Sequence, residues 1–370
     1  MKEQQWYELT DTENVISPSL LVYPERIEHN IRMMIRMTGG TSNLRPHIKT
    51  HKTAEIIKMQ LDAGIEKFKC ATIAEAELLA MCDAPDVLLA MQPVGANISR
   101  FLSLMQTYPE SKFSALVDND ATLQAFTKKA KTHDIKISLW MDINNGMNRT
   151  GILPDEKAVN LYRSMESESN ITAMGLHVYD GHLRNPNPEE RKKDCDTAFQ
   201  KVLELKDKLG EIGIKVKSIV AGGSPSFPFH AERKNVEASP GTTLLWDAGY
   251  GNLFPKMDFL PAAVLMTRII SKPAKNILCL DLGHKSLAPE MPFPRVQFFG
   301  IEGIKQIGQS EEHFVVECEN NQEYKVGDVC YALPVHICPT VAKYEYLQVV
   351  RHGKIIGTWK VAARNQKITI

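Results

Sequence analysis

Residues 45–52 place basic and titratable side chains on both sides of one lysine, Lys49. A lysine that acts as a nucleophile must be deprotonated, and cationic neighbours and burial both disfavour the charged form of such a group. The segment stands between an apolar stretch and the helical pattern of residues 53–64, which predicts that Lys49 follows the carboxyl end of a strand. Composition alone favours a solvated basic loop, so the rest of the chain decides between these two interpretations.

Residues 221–226 and 239–243 form two glycine-containing loops, each of which follows a predicted strand. The glycines of the first loop leave backbone N–H groups open to an anion, and Ser224 and Ser226 add hydroxyl donors. Barrels often bind phosphate after their seventh and eighth strands, which are the strands that precede these loops. Glycine-serine turns are also common as plain connections, so each loop alone is a weak signal.

Polar side chains also follow the fifth and sixth predicted strands. Residues 142–151 carry Arg149, whose guanidinium could bind a carboxylate, a phosphate or a phenolate, although a surface arginine is an equal alternative. Residues 177–182 bring His177, Tyr179 and His182 to the same rim. One buried histidine would indicate little, whereas three such groups together favour a site.

His336 and Cys338 stand two residues apart within residues 334–340. On a strand, the side chains of residues i and i+2 share one face, so both could bind a single metal ion. Imidazole and thiolate suit zinc, and two protein ligands would leave positions for water or substrate. The alternative is a strand with a buried cysteine and a partly exposed histidine.

The sequence from about residue 44 to 240 alternates short apolar runs with amphipathic stretches, which predicts an α/β fold. The predicted strands are residues 44–49, 67–72, 86–92, 112–118, 136–143, 171–179, 216–222 and 235–239. The helical patterns include residues 73–82, 98–108, 120–133, 155–166 and 188–210, with Asn187 as a candidate N-cap and Gly210 as a candidate C-cap of the last. Eight such repeats favour a closed parallel (β/α)8 barrel of the TIM type over an open doubly wound sheet.

After about residue 255 helical periodicity is almost absent, which predicts a mainly β domain. Its predicted strands are residues 262–270, 276–282, 297–299, 313–318, 329–333 and 347–350. We expect a barrel domain over residues 20–250, and a β domain formed by residues 1–19 together with residues 251–370.

The 370 residues include 44 Lys and Arg and 44 Asp and Glu. A net charge of zero gives no general attraction to nucleic acids or membranes, and no apolar run is long enough to span a bilayer. The polar start of the chain lacks a secretory signal, and seven scattered cysteines indicate reduced thiols. We therefore expect a cytoplasmic protein with a small-molecule substrate and with no nucleic-acid or membrane partner.

Several motifs occur in the order of a known enzyme family: residues 17–21 with Asn30, residues 45–52, 222–226, 239–241, 281–285 and 310–313, and the pair His336 and Cys338. Over nearly its whole length the chain resembles the pyridoxal 5′-phosphate (PLP) enzymes of the alanine-racemase-like barrel fold. The branch it resembles contains the D-threonine aldolases and the D-serine dehydratases. The Lys49 segment combined with the His336 and Cys338 pair is the most specific part of this resemblance.

The resemblance implies a role for each candidate residue. Lys49 would bond the PLP aldehyde, and Arg149 would contact the phenolic oxygen of its ring. His182 would lie near the reacting hydroxyl group of the substrate. The other implied cofactor-binding residues are Tyr179, Gly222, Gly223, Ser224, Gly241 and Thr242, and the implied metal ligands are His336 and Cys338. A divalent metal, zinc or manganese, and a homodimer are also implied.

The activity implied by the resemblance is that of a PLP- and metal-dependent lyase acting on D-3-hydroxy amino acids. With His182 as base, retro-aldol cleavage would convert D-threonine to glycine and acetaldehyde. With Lys49 removing the α-proton, dehydration would convert D-serine to pyruvate and ammonia. Cys338 matches the dehydratases, whereas aldolases of this group can carry aspartate there, so both reactions stay open.

Two other functions are compatible with the same fold. A racemase would need a second base, which in alanine racemases is a tyrosine near the start of the β domain, and residues 280–285 contain none. A non-catalytic PLP-binding protein would resemble the barrel alone, without a β domain or a metal pair. Both are therefore kept as alternatives to the lyase.

Overall fold

The computed structural model describes residues 4–301 and 303–370, so the first three residues of the predicted segment 1–19 lie outside its description. We number strands and helices in chain order. The strands are β1 (Ser19–Val22), β2 (Lys67–Cys70), β3 (Asp86–Leu89), β4 (Lys112–Val117), β5 (Ile137–Ile143), β6 (Ile171–Val178), β7 (Ser218–Ala221), β8 (Val236–Ala238), β9 (Ala263–Ser271), β10 (Ile277–Leu280), β11 (Val296–Phe299), β12 (Ile304–Gln309), β13 (Phe314–Cys318), β14 (Val329–Pro334), β15 (Tyr346–Arg351) and β16 (Lys354–Lys360). The α-helices are α1 (Pro24–Met37), α2 (Ala54–Asp62), α3 (Ile73–Met81), α4 (Ala96–Thr107), α5 (Asp120–His133), α6 (Glu156–Ser167), α7 (Pro188–Glu211), α8 (Phe227–Ala231), α9 (Ala248–Leu253) and α10 (Ile337–Val341). Short 3-10 helices lie at Ile48–Thr50, Thr242–Leu244, Asn321–Glu323 and Ala362–Arg364.

The chain divides into two compact units. The barrel unit comprises Met33–Lys49, Ile57–Gly241 and Asn365–Ile370, and the β unit comprises Met1–Arg32, Thr50–Ile56 and Thr242–Arg364. The predicted boundary at residues 19 and 20 differs from this division, because strand β1 pairs with β9 and β15 of the β unit. The chain also enters the β unit at Thr242, before the predicted boundary at residue 250.

In the described part of the barrel unit, strands β2 to β8 form a parallel sheet in sequential order. Residues 44–47 join its two edges, since Leu44 bridges to Ala238 of β8 and His47 bridges to Lys69 of β2, both in parallel. Backbone hydrogen bonds of 2.9 Å run from Arg45 N to Ala238 O and from Lys69 N to Pro46 O. These residues take the place of the predicted first strand, and the predicted parallel barrel architecture is confirmed.

Two layers of side chains fill the barrel interior below its carboxyl rim. An apolar layer consists of Leu88, Leu116, Trp140 and Val220, with Ala90 and Met174 packed against it. Nearer the amino ends of the strands, the buried Arg45 side chain makes two ion pairs. Its Nε lies 2.6 Å from Glu237 Oε2, and its Nη1 lies 2.6 Å from Asp86 Oδ1. A buried arginine is tolerated here because two carboxylates compensate its charge.

The longest helix in the described part of the chain, α7, begins as the sequence predicts, but it ends at Glu211 with Ile212 as its C-cap and not at the predicted Gly210. Asn187 is its N-cap, and the Asn187 side-chain oxygen accepts hydrogen bonds from Glu189 N at 2.9 Å and Glu190 N at 3.3 Å. Pro188 at the first helical position needs no hydrogen-bond acceptor. No helix in residues 4–301 and 303–370 is long and apolar enough to cross a membrane.

The β unit is built on a sheet in the order β12-β13-β10-β9-β1-β15-β16, with β14 paired to β9 and β11 paired to β14. One face of the sheet carries a core of Tyr7, Leu9, Leu21, Tyr23, Val264, Met266, Tyr331 and Val350. The predicted mainly β character of this part of the chain is confirmed. The sequence pattern did not predict β1, β12 or β16.

The paired charges of the barrel interior give a test of the fold. We expect Glu237→Leu to lower the free energy of unfolding by about 3–5 kcal/mol, because it leaves the buried Arg45 with one carboxylate partner, Asp86, and removes the carboxylate partner of Lys67. Urea denaturation followed by circular dichroism measures this change. The control is Glu168→Leu in the exposed Lys131 pair, which should change stability by less than about 1 kcal/mol. If both substitutions lowered the free energy of unfolding equally, the stability of the fold would not depend on the pairing of Arg45 with Glu237.

Candidate active site

Lys49 lies on the 3-10 turn that follows residues 44–47, at the carboxyl end of the barrel. Its side chain is half-buried, and its backbone N–H donates to His47 Nδ1 at 3.2 Å, which fixes the turn. The Lys49 Nζ lies 5.6 Å from the centre of the Tyr179 ring. The structure therefore places the lysine at a rim position suited to chemistry, rather than in a solvated basic loop.

The Tyr179 ring, which follows β6, has three cationic side chains around it. Lys49 Nζ is 5.6 Å, Lys69 Nζ 5.9 Å and Arg149 Cζ 4.9 Å from the ring centre. The backbone of Gly223 also lies against this ring, since a Cβ at Gly223 would be 2.9 Å from Tyr179 Cε2. Three cations converging on one place in the barrel unit favour the binding of an anionic molecule there.

Lys69 was not predicted as a site residue. It is only 2% exposed, and burial together with the nearby positive charge of Lys49 lowers its pKa to about 7. Lysine is almost never fully buried without a partner or a function. In the sequence, β2 reads Lys67-Phe68-Lys69-Cys70, and this alternation of lysines with apolar residues matches no motif that would single out Lys69.

The two predicted glycine loops lie together. Gly241 N donates to Ser224 Oγ at 3.2 Å, and Gly223 N donates to Ser226 Oγ at 3.2 Å. Gly222 has a φ of +82°, and a Cβ there would be 2.6 Å from His230 Cδ2 and 2.9 Å from Ser226 Oγ. Only glycine fits this position, and the loop is a tight glycine turn of the kind found at phosphate sites.

A buried cluster of polar side chains holds the Gly222 loop in place. Ser226 Oγ donates to Asp180 Oδ1 at 2.5 Å, and His230 Nε2 is 2.7 Å from Asp180 Oδ2. Cys195 Sγ lies 3.4 Å from His230 Nε2. Burial, followed by the charge of Asp180, raises the pKa of Cys195 to about 12, so the sulfur is a neutral thiol.

Asp180, Cys195 and His230 are also close enough to one another to hold a metal ion. Two ligands of a tetrahedral zinc ion lie roughly 3.3 Å apart, however, as follows from bond lengths of about 2.0 Å. The 2.7 Å separation of Asp180 and His230 is instead that of a hydrogen bond. The cluster therefore serves best as an anchor for the loop above it.

Arg149 lies in a turn after which the chain pairs with the end of β5. Ile152 N donates to Asp142 O and Asn144 N donates to Ile152 O, both at 2.9 Å. A Cβ at Gly151 would be 2.6 Å from Asn144 N, so the close approach of these segments requires glycine. Asp118 Oδ2 accepts a hydrogen bond of 3.0 Å from Gly151 N, which further stabilises the turn.

A buried network lies behind the Arg149 turn. Gln92 Nε2 donates to Asp118 Oδ2 at 3.0 Å and to Asp142 Oδ2 at 2.8 Å, and His177 Nδ1 lies 2.7 Å from Asp142 Oδ1. Burial lowers the pKa of His177 even though Asp142 opposes this effect, which favours the neutral imidazole. The carboxylate assigns the proton to Nδ1, which leaves Nε2 as a buried acceptor with no partner in the described part of the chain.

His182 is exposed on the loop after β6. Its ring lies against Gly146 of the loop after β5, because a Cβ at Gly146 would be 3.1 Å from His182 Nε2. The structure thus brings the predicted residues Lys49, Arg149 and Tyr179 together around one ring. His182 stands on a loop at the same carboxyl rim.

The predicted metal pair belongs to the β unit, and its local structure differs from the prediction. His336 follows the end of β14 and Cys338 lies in the first turn of α10, so the two residues do not share a strand face. The chain leaves the sheet after Pro334, the last residue of β14. The two side chains are nevertheless within hydrogen-bonding reach, because the helical turn brings Cys338 back towards His336.

The surroundings of this pair include a carboxylate that the sequence pattern did not reveal. Glu290 Oε1 lies 2.6 Å from His336 Nδ1, and Cys338 Sγ lies 3.1 Å from Thr50 Oγ1 and 3.5 Å from Thr242 Oγ1. Burial disfavours the charged imidazole, but Cys338 and Glu290 outweigh it and raise the pKa of His336 to about 9. A histidine held by a carboxylate beside a cysteine fits the usual surroundings of a zinc ligand.

Comparison with known proteins agrees with this geometry. Residues 22–248, more than half of the chain, match the family model of the alanine racemase N-terminal domain. The chain belongs to this family. Residues 262–350 match the model of the putative serine dehydratase domain. The resemblance and the fold predicted from the sequence are thereby confirmed.

Individual relatives match over nearly the full length of both chains. A 3-hydroxy-D-aspartate aldolase of Paracoccus denitrificans (strain Pd 1222) is 26% identical over 369 residues, which cover 96% of this chain and 94% of the relative. A D-threonine aldolase of Arthrobacter sp is 28% identical over 356 residues, which cover 95% and 93%. The crystal structure of D-threonine aldolase from Filomicrobium marinum superposes with a TM-score of 0.85 at 25% identity, covering 95% of each chain.

The steric constraint at Gly222 is testable. Gly222→Ala should weaken PLP binding about tenfold or more, because the new Cβ meets His230 and Ser226 and displaces the loop. Equilibrium dialysis of PLP against the unliganded protein measures the affinity. Gly213→Ala is the matched control, since Gly213 has a φ of +81° and a Cβ added there would meet no atom within 4 Å. Both variants should lose about 1 kcal/mol of stability from the backbone conformation, and equal PLP affinities would refute the loop assignment.

Proposed function

We propose that this protein is a PLP-dependent lyase that acts on D-configured 3-hydroxy amino acids with the help of a divalent metal ion. The observation that carries the proposal is the convergence of Lys49, Lys69 and Arg149 on the Tyr179 ring, beside the backbone of Gly223. A primary amine, two further cations, a flat aromatic face and a glycine loop are the groups that a phosphorylated pyridine aldehyde requires. Similarity to aldolases that act on 3-hydroxy amino acids supports the substrate class.

The residues of the barrel unit would hold PLP as follows. The Gly222–Ser224 loop would hold the phosphate with the Ser224 hydroxyl, which Gly241 N supports. Gly222 N donates to Val178 O and Gly223 N donates to Ser226 Oγ, so the two glycines would shape this loop and let the phosphate approach its backbone. The Tyr179 ring would stack against the pyridine ring, and Arg149 would face its phenolic oxygen. Thr242, the other predicted phosphate contact, belongs to the β unit, and its role stays a prediction.

PLP supplies an electron sink that weakens the bonds at the α-carbon of an attached amino acid. The chain supplies the proton transfers. In retro-aldol cleavage, His182 would accept the proton of the substrate hydroxyl at one of its ring nitrogens. In dehydration, Lys49 Nζ would accept the α-proton. Each proposed base would therefore act on a different proton.

Retro-aldol cleavage is the reaction we favour. His182 provides an exposed imidazole on a loop at the carboxyl rim, and the relatives named above are aldolases. Dehydration is the second candidate. It is favoured by Cys338, the residue type of the dehydratases at this position, and by the match of residues 262–350 to the putative serine dehydratase domain.

For the metal, we propose that His336 and Cys338 are the protein ligands, with Glu290 orienting the imidazole. A divalent ion held there would act as a Lewis acid towards a hydroxyl oxygen. Zinc follows from the softness of the thiolate, and manganese is the alternative. The proton on His336 must leave when the ion binds, so metal binding should be coupled to proton release.

Further predictions concern the cell and the assembly. All seven cysteines are free, six of them buried and Cys338 half-buried, which is consistent with a reducing compartment such as the cytoplasm. The homodimer implied by the family resemblance stays a prediction. So does the expectation that neither nucleic acids nor membranes are partners.

Product analysis tests the proposed function. The protein loaded with PLP and metal is incubated separately with D-threonine and D-serine, and the products are identified by chromatography and mass spectrometry. We expect glycine and acetaldehyde from D-threonine. Pyruvate and ammonia from D-serine would support dehydration instead.

Lys49→Ala should abolish both turnover and the visible absorbance of bound PLP, and Lys58→Ala, an exposed lysine on α2, should change neither. Borohydride reduction followed by peptide mapping locates the labelled lysine, which distinguishes Lys49 from Lys69. Full turnover in Lys49→Ala, or turnover of neither substrate by the unmodified protein, would refute the proposal.

The metal assignment has a separate test. His336→Ala and Cys338→Ala should each lower the bound metal content about tenfold or more after dialysis, because each removes one of two protein ligands. Inductively coupled plasma mass spectrometry measures the metal. Cys195→Ala is the control, since Cys195 belongs to the other group that could hold a metal ion. Loss of metal from Cys195→Ala, with retention in Cys338→Ala, would refute the proposed ligands, because the ion would then be bound by the cluster of Asp180, Cys195 and His230.

A further inference from the structure

Lys69 occupies a position that the proposed roles leave unexplained. Its strand, β2, lies next to residues 44–47, since Lys69 N donates to Pro46 O at 2.9 Å. Strand β8 lies on the other side of the same residues, through the Leu44 and Ala238 bridge. Lys49 lies two residues after this segment, so it has the glycine loops after β7 and β8 on one side and Lys69 on the other.

Charged side chains from several neighbouring elements act on the ammonium group of Lys69. Lys49 and Arg45 repel its ammonium group, whereas Asp180 after β6 and Asp142 on β5 attract it. The positive charge of Lys69 in turn lowers the pKa of His177. Burial and the repulsion from Lys49 prevail, which is why its pKa falls to about 7 and the side chain is poised between its two protonation states.

The chemistry of PLP suggests what would stabilise this charge. The ring carbon that bears the aldehyde lies between the carbon that carries the phosphate arm and the carbon that carries the phenolic oxygen. If the phosphate lies in the loops after β7 and β8, the oxygen must point to the opposite side of Lys49. That side is the one on which Lys69 lies.

We propose that Lys69 is a cofactor-binding residue that, together with Arg149, holds the negatively charged phenolic oxygen of PLP. The inference rests on the proposed function and deepens it by assigning one more residue to the same site. Both cations lie within 6 Å of the Tyr179 ring centre, at 5.9 Å and 4.9 Å. A bound anion favours the protonated form of Lys69, so binding takes up a proton above pH 7.

The sign of the pH dependence follows from this coupling. The contribution of Lys69 to affinity is complete below about pH 7, where the ammonium is already protonated in the free protein. It declines as the pH rises through the pKa of Lys69 in the complex, because a neutral amine does not attract the phenolic oxygen. The phosphate and pyridine groups of the ligand titrate as well, so the comparison must be between proteins and not between pH values alone.

The test uses pyridoxine 5′-phosphate, which keeps the phenolic oxygen and the phosphate but has no aldehyde to react with a lysine. Calorimetry at pH 6.5 compares the unmodified protein with Lys69→Met and Lys69→Arg, with inorganic phosphate as the second probe. Lys69→Met should bind pyridoxine 5′-phosphate about tenfold more weakly and bind inorganic phosphate within twofold of the unmodified protein. Lys69→Arg should recover part of the loss, since it keeps the charge.

Two results would overturn the assignment: equal pyridoxine 5′-phosphate affinities in Lys69→Met and the unmodified protein, or a parallel loss of inorganic phosphate binding. A measurement on the unmodified protein does not depend on how the variants fold. At pH 8, calorimetry in two buffers of different ionisation enthalpy should show uptake of more protons with pyridoxine 5′-phosphate than with inorganic phosphate, and equal uptake would also overturn the assignment. Failure of the proposed function is a different result, namely that the unmodified protein binds neither PLP nor pyridoxine 5′-phosphate.

Discussion

The position of Lys49 depends on the way in which residues 44–47 close the parallel sheet. Strands β2 and β8 would otherwise each leave an edge of backbone N–H and C=O groups without partners inside the unit. Residues 44–47 satisfy both edges, through Arg45 N to Ala238 O and Lys69 N to Pro46 O. A third hydrogen bond, from His47 N to Pro240 O at 2.7 Å, continues this pairing to the carboxyl rim. Lys49 lies two residues further along, so closure alone delivers it to the end of the barrel where loops converge.

Two buried carboxylates hold the loops at the carboxyl rim in fixed positions on the strands. Asp142, on β5, binds His177 and Gln92 behind the turn that carries Arg149. Asp180, directly after β6 and Tyr179, binds Ser226 and thereby fixes the Gly222 loop. Each carboxylate is stabilised in its charged form by hydrogen bonds that outweigh its burial and lower its pKa. Loops rich in glycine are conformationally free by themselves, and these anchors select one conformation.

The elements with strong periodicity were predictable from the sequence, because alternation of apolar runs and amphipathic helices is a local signal. Helix α5 spans the predicted residues 120–133, and the barrel strands predicted from residue 67 onwards lie within a few residues of the observed ones. The glycine loops were found because their composition is unusual. The partnership of Asp180 with His230 could not be found, because it joins residues 50 positions apart that are adjacent only after folding.

Two differences between the predictions and the structure have physical causes of the same kind. Residues 20–22 of β1 fall inside the predicted barrel domain although β1 pairs with β9 and β15, because an apolar run of four residues carries no sign of which sheet it joins. His336 and Cys338 were placed on one strand because their spacing of two fits a strand. The structure ends β14 at Pro334 and turns the chain into a short helix, which brings the pair together by a different geometry. Spacing alone thus indicated that the two side chains meet, but not how.

Positive charge is compensated differently at the two ends of the barrel interior. At the amino end, Arg45 is matched by Asp86 and Glu237, so its charge is balanced by the folded chain itself. At the carboxyl end, beyond the apolar layer around Trp140, Lys49 and Lys69 share one aromatic ring and repel each other. Repulsion of this kind destabilises the protein without its ligand, and an anionic ligand that binds only the folded state stabilises it by about 2.7 kcal/mol at a hundredfold excess over Kd. The charge distribution therefore distinguishes Arg45, whose charge the folded chain balances, from the two lysines that a bound anion would stabilise under the proposed function.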